Sequence, residues 1–195
     1  MLHFSTLHTR YSRDPDTDAD TASKSMLGAV QKAWLKSALV ASEAKWKIVF
    51  GTVSANKSAR PTNIDHWMTS GTTEAAEMKA FLVLRNGLEQ ETIMISGDLH
   101  TGGGVDDGSN IGWGFPELGI AYTNLAMGNA NNVGTWSEGA ITGVGNPGYR
   151  NLMVTSDTLV LEAKNAAGSV IHTLTLVCNS TWLCDGWFPH LWSTF

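Results

Sequence analysis

A carboxylate and an imidazole two residues apart, Asp98 and His100, sit between a short apolar run and three glycines in Ile93-Met94-Ile95-Ser96-Gly97-Asp98-Leu99-His100-Thr101-Gly102-Gly103-Gly104. Thr92 to Ile95 is β-branched or apolar and too short for a helix, so it reads as a buried strand. At the mouth of such a strand the backbone leaves the sheet, and side chains there can reach a ligand. Residues two apart in extended chain project to the same side. Oxygen and imidazole donors on one side suit a hard or borderline metal ion, though two ligands are half a site. The plainer alternative is that Asp98 caps a turn and His100 is an ordinary loop residue.

The elements that must position this segment read as α/β. Leu2, Phe4 and Leu7 suggest a first strand, and the acidic, small-residue stretch Asp14 to Ser25 reads as a solvated loop. Leu27 to Ser42 has helical spacing, with Leu27, Val30, Trp34, Ala38 and Leu39 as the expected core stripe and Lys32 and Lys36 off it. Ala44 to Ser54 reads as a strand with Trp46, Ile48 and Phe50 on one face and Val49 on the other. Residues 72–88 read as a second helix, capped by Thr72 or Thr73, with Glu74 and Glu77 in the first turn where the helix dipole favours acids. Strand, helix, strand, helix, strand is an α/β order. Gly102 to Gly114 and Gly128 to Pro147 read as glycine-rich loops around a strand from Glu117 to Leu125. Asn151 to Lys164 and Ser169 to Cys178 read as a hairpin about Asn165-Ala166-Ala167-Gly168. The end of the chain, residues 178–195, holds three of the eight tryptophans.

Composition narrows the function classes. With 195 residues, 43% hydrophobic and 16% charged, the chain can bury one sizeable core. A net charge of −5 and the lack of a Lys/Arg run remove the electrostatic footprint of a nucleic-acid binder. No run approaches the roughly 18 apolar residues of a membrane span. Met1 to Arg13 lacks the apolar core of a signal peptide, so the chain is expected to stay where it is made. Cys178 and Cys184 could close a small disulfide loop or remain thiols. Gly143-Val144-Gly145-Asn146-Pro147-Gly148 has dinucleotide-binding spacing without the strand and helix that motif needs. His100-Thr101-Gly102-Gly103-Gly104 lacks the Gly-x-Ser-x-Gly partner of an esterase loop.

Taken in order, Leu7-His8-Thr9-Arg10-Tyr11-Ser12-Arg13-Asp14, Met26-Leu27-Gly28, Gln31, Trp34-Leu35-Lys36, Leu39, Ser42-x-Ala44-x-Trp46-Lys47, Asn63-x-Asp65-x-Trp67 and Ser96-Gly97-Asp98-Leu99-His100 carry a resemblance. The chain resembles the PhoD-like alkaline phosphatases and phosphodiesterases of the metallophosphoesterase superfamily, over roughly residues 2–177, as their carboxyl-terminal half. The resemblance implies an α/β fold, specifically an incomplete α+β sandwich of metallophosphoesterase type. It also implies mixed sheets flanked by helices, a carboxyl-terminal β-hairpin, a partial domain over 1–177 and an aromatic tail over 178–195. It further implies metal-dependent hydrolysis of phosphate mono- or diesters, with calcium and iron as cofactors and Asp98 and His100 as late metal ligands. Asn63, Asp65 and Trp67 match a segment near the family's site, with a structural role for Trp67 equally open.

Three departures shape the expectation. The family's early metal-ligand motifs match no stretch here, His8 stands where the family usually has Asp, and Met68 and Ser70 replace an Asp and a Tyr. The chain by itself is therefore expected to turn over little substrate. The alternatives are a non-catalytic remnant or binding domain, and one half of a split enzyme whose amino-terminal half is a partner chain. Relatives are commonly exported, which leaves the compartment undecided.

Overall fold

The computed structural model describes residues 2–55, 67, 72–84, 92–99, 104–106, 117–121, 139–140, 148–165 and 167–177. Its elements run β1 (Leu2–Thr6), α1 (Thr9–Ser12), α2 (Ala29–Ala41), β2 (Trp46–Gly51), α3 (Thr72–Val83), β3 (Thr92–Leu99), β4 (Gly104–Asp106), β5 (Glu117–Ala121), β6 (Gly139–Ala140), β7 (Gly148–Val154), β8 (Thr158–Asn165) and β9 (Val170–Val177). The protein is a mixed α/β structure with helices and two sheets. A six-stranded sheet has the order β1-β2-β3-β5-β4-β6, and a three-stranded sheet has the order β7-β8-β9. β1, β2, β3 and β5 are parallel, while β4 runs antiparallel to both β5 and β6.

The period-two pattern of β2 builds both layers. Val49 faces a core shared with Leu7, Leu35, Leu39, Trp67, Met78, Leu82 and Met94, under the helices. Trp46 and Ile48 face the opposite way, with Ile93 and Ile95, onto Leu159, Leu161 and Leu176 of the three-stranded sheet. The split expected for Trp46, Ile48 and Phe50 against Val49 is the one observed, Phe50 being partly buried. Burying each such aliphatic side chain contributes about 1.5–3 kcal/mol. Lys47 also points into the helix side, where its ammonium is buried and donates to the Ala44 carbonyl at 2.7 Å. A buried cation needs such a partner.

Several sequence-based expectations need correction. On α2 the buried positions are Leu35 and Leu39, whereas Val30 is 86% and Trp34 49% exposed. The helix is rotated because Lys32 and Lys36 turn toward α3, where Glu77 pairs with both (2.9 and 2.5 Å). The loop from Asp14 to Ser25 is not simply solvated. Lys24 is buried and donates to the carbonyls of Asp16 (3.0 Å) and Asp18 (2.6 Å), and the Asp14 carboxylate accepts from the Ser25 amide at 2.7 Å. The segment expected as one strand from Asn151 breaks at a turn through Thr155, whose amide donates to the Thr158 carbonyl at 2.8 Å. The carboxyl-terminal hairpin thereby becomes a three-stranded sheet. Within the expected loop 102–114, Gly104–Asp106 is a short strand.

The helices are held by long-range caps. The Asp20 carboxylate accepts from the Thr72 amide (3.0 Å), the Thr72 hydroxyl and the Thr73 amide (3.3 Å), so the cap acceptor of α3 lies 52 residues upstream of Thr72. Glu74, fully buried, accepts from the Ser25 hydroxyl (2.5 Å) and the amides of Met26 (2.6 Å) and Leu27 (3.2 Å), and pairs with Lys32 at 3.2 Å. It anchors the entry to α2. Gly28, at φ +74°, lies where an added Cβ would stand 2.5 Å from the Ser12 carbonyl oxygen, so only glycine fits.

Candidate functional site

In an open parallel sheet, ligands bind beyond the carboxyl ends of the strands. Here that edge gathers the segments after β1 and β2 and the end of β3. After β1, His8 caps α1, its Nδ1 accepting from the Tyr11 amide at 3.1 Å, and its own amide donates to Gln31 Oε1 at 2.8 Å. The His8 ring thus supplies the hydrogen-bond acceptor that a capping Asp would, which gives this departure from the family pattern a structural reason. Next to it, Thr9 is buried and its hydroxyl meets that of Thr52, just past β2. This hydroxyl pair ties the two strand ends together. Neither threonine carries a sequence signal that would have paired them across 43 positions.

Asp98 lies on β3, at the same edge. Ser96 pairs with Gly119 and Leu99 with Ala121, so Gly97 and Asp98 together oppose the single residue Ile120. That is a β-bulge. Bulges interrupt a ladder and re-aim side chains, and they are over-represented beside active sites. Gly97 sits next to the β2 exit, its hydrogen position 3.8 Å (as a Cβ) from the Thr52 carbonyl oxygen, an ordinary contact.

Of the other sequence-derived candidates, Trp67 is completely buried in the core under the helices, where it packs with Val53 and Ala55 from the β2 exit. That placement gives it a packing role. His100, Asn63, Asp65, Cys178 and Cys184 lie outside the described residues. Among the described residues no three His, Cys, Asp or Glu side chains gather as a metal-holding group. The described residues therefore do not complete a ligand set by themselves. Among them, too, no helix is long and apolar enough to cross a membrane.

The shifted titrations within the helix layer belong to the α2–α3 contact. Hydrogen bonds from Lys36 and then Lys32 hold the Glu77 carboxyl below its usual range. For Lys32, burial pulls the pKa down, but the hydrogen bond to Glu77 and the charge of Glu74 outweigh it and leave the ammonium above its ordinary value. These are the signatures of ion pairs that clamp two helices.

Comparison with known proteins agrees with this architecture. A search of curated proteins found no match. A solved structure described as "Structure of PhoD" superposes with a TM-score of 0.66 at 15% identity, covering 92% of this chain and 40% of that one. At that identity the likeness is one of fold, and this chain spans about two-fifths of the length of the matched protein. The model of the family described as PhoD-like phosphatase matches residues 1–107, more than half of the 195. That match takes in β1, α2, β2, α3 and the bulged end of β3, and on this ground the chain belongs to the PhoD-like phosphatase family.

Proposed function

We propose that this chain carries the late-ligand portion of a metal-dependent phosphate mono- or diesterase site, in an incomplete metallophosphoesterase-type sandwich over residues 1–177 with an aromatic tail over 178–195. The observation that carries the reading is the position of Asp98 on a bulge at the carboxyl edge of a parallel sheet, in a family of phosphatases. Asp98 and His100 are its two metal ligands, and Asn63 and Asp65 lie toward the substrate. A carboxylate and an imidazole have the donor chemistry for the calcium and iron that the family resemblance implies. Bound metal neutralises phosphoryl oxygens and activates an oxygen nucleophile. Two donors fall short of the four to eight that such ions take. The purified chain is accordingly expected to bind metal weakly and hydrolyse little by itself.

The test measures metal content and aryl phosphodiester hydrolysis on the purified chain beside Asp98→Ala. Sub-stoichiometric calcium and iron that fall further in the variant, with turnover near background, support the reading. Robust turnover by the chain alone, unchanged in Asp98→Ala, refutes both the ligand assignment and the expectation of low activity. Metal content identical in the two proteins points instead to a non-catalytic remnant.

A further inference from the structure

His8 stands where the family usually has Asp, and the hydrogen bonds around it fix what its ring can do. Its amide donates to Gln31 Oε1 at 2.8 Å and its carbonyl accepts from Gln31 Nε2 at 3.5 Å, so the main chain is held on both sides. Nδ1 accepts from the Tyr11 amide at 3.1 Å. A ring nitrogen that accepts carries no proton, so the neutral imidazole carries its proton on Nε2. An edge contact with the Tyr11 ring, centroids 6.0 Å apart, holds the ring further. His8 is exposed, and among the described residues Nε2 has no partner. A capping Asp would bring acceptors only. Histidine keeps the cap and adds an N–H donor.

The hydroxyl pair beside it is directed in the same way. Thr9 is completely buried, and among the described residues its hydroxyl has one partner, that of Thr52. A buried hydroxyl proton without an acceptor is costly, so Thr9 donates and Thr52 accepts. Thr52 is itself exposed, which leaves its own proton to a group outside the fold. The β1–β2 register runs to Thr6↔Phe50, so His8 and Thr52 each lie two residues past the last pair. They stand on neighbouring strand exits about 4.8 Å apart. On the other side of Thr52 is the bulge of β3. Gly51 pairs with Ser96, and the Thr52 carbonyl oxygen lies 3.8 Å from the Cβ position of Gly97. Thr52 is the middle of three exits, between His8 and Gly97-Asp98.

We propose that His8 Nε2–H and Thr52 Oγ1–H form a two-donor seat for the phosphoryl oxygens of the substrate, next to Asp98. The proposal rests on reading the Asp98 edge as a phosphoesterase site. A phosphoryl group presents several strong acceptor oxygens, which two donors on adjacent strand exits can share. Both donors are set by hydrogen bonds made before any ligand arrives, so little order has to be created on binding. Both are also uncharged, which leaves neutralisation of the phosphoryl oxygens to the metal. A carboxylate at position 8 would repel the same anion. The His in place of the family's Asp is thus a substrate contact particular to this chain as well as a helix cap.

The test titrates inorganic phosphate, without metal, into the isotope-labelled purified chain at mildly alkaline pH, followed by NMR. The expected result is an Nε2–H tautomer at His8 and phosphate-induced shifts of His8 Nε2 and the Thr52 amide in the millimolar range. His8→Asp keeps the cap and should weaken binding at least tenfold with unchanged circular dichroism. His8→Asn, which offers a cap oxygen and an amide donor, should recover most of it. Thr52→Val should weaken binding about three- to tenfold, the worth of one hydrogen bond, and Thr52→Ser should not. Because Thr52→Val leaves the buried Thr9 hydroxyl without its acceptor, the double variant Thr9→Val/Thr52→Val is measured beside it. With both partners apolar it should fold like the parent and bind phosphate as weakly as Thr52→Val. A His8 ring protonated on Nδ1, phosphate that moves neither resonance, or binding as tight in His8→Asp and the double variant as in the parent overturns the proposal. Manganese added alone reads the Asp98 assignment separately, as line broadening near Asp98 that Asp98→Ala removes. Phosphate shifts without that broadening uphold the seat and remove the ligand assignment, and broadening without phosphate shifts does the reverse.

Discussion

Replacing Glu74 by alanine probes the contact on which the entry to α2 depends. The carboxylate accepts from the Ser25 hydroxyl and from the amides of Met26 and Leu27, residues whose own exposures are 1% and 0% for the latter two. Removing it strands two buried N–H donors, at about 1–3 kcal/mol each. Lys32 is not stranded, because Glu77 lies 2.9 Å from its ammonium. The loss is therefore chiefly one of backbone donors, and overlapping contributions place it at about 3–5 kcal/mol, the range for removing one partner of a buried charge network. Glu74→Gln keeps an acceptor oxygen and the side-chain volume, and should cost about 1–2 kcal/mol. Lys32→Met leaves Glu74 its three other donors and should cost about 1 kcal/mol or less, as for partly exposed pairs. Urea titration followed by tryptophan fluorescence gives the three values, and hydrogen exchange at the Met26 and Leu27 amides locates the damage. If Lys32→Met is as damaging as Glu74→Ala, or Glu74→Ala costs less than about 1 kcal/mol, the anchoring argument fails.

Other substitutions follow from the same geometry. Gly28→Ala puts a Cβ 2.5 Å from the Ser12 carbonyl oxygen at φ +74°, and should cost about 2 kcal/mol or more, read as a fall in Tm. Asp20→Ala removes the cap acceptor of α3 and should cost about 1–2 kcal/mol, with Asp20→Asn recovering most of it. The Glu77 carboxyl is depressed in the folded chain below its ordinary 4.5 by Lys36 and then Lys32. Its contribution is therefore complete above pH 4.5 and lost as pH falls through the lowered folded-state value. Urea midpoints should decline over that acid window, and the decline should be shallower in Glu77→Gln. Because the Glu77 side chain is 44% exposed, added salt should shrink the difference.

For function, the separation between frame and ligands matters most. The family match covers the strands and helices that place Asp98, while the solved structure of similar fold is more than twice as long as this chain. A metal site depends on ligand count and on the shell that orients the ligands.

The sequence by itself determined the local periodicities. Alternation along Trp46-Lys47-Ile48-Val49-Phe50 named both faces of β2, and the apolar run before Gly97-Asp98 located β3. Such patterns are legible because side-chain direction repeats with the backbone, every two residues in a strand. Tertiary structure decided what depends on distant partners. The stripe through Val30, Trp34 and Leu39 has helical spacing, yet only its Leu39 end is buried and Leu35 takes the place of Val30 and Trp34, because Glu77 on another helix draws Lys32 and Lys36 to one side. Glu74 suits the first turn of α3 on dipole grounds, but its burial comes from serving Met26 and Leu27, 48 and 47 residues away. The bulge at Gly97-Asp98 exists only because β5 lies alongside with one residue fewer. Periodicity constrains each element alone, whereas caps, ion pairs and bulges require two segments to meet, and the residues involved carry no local mark of the partner.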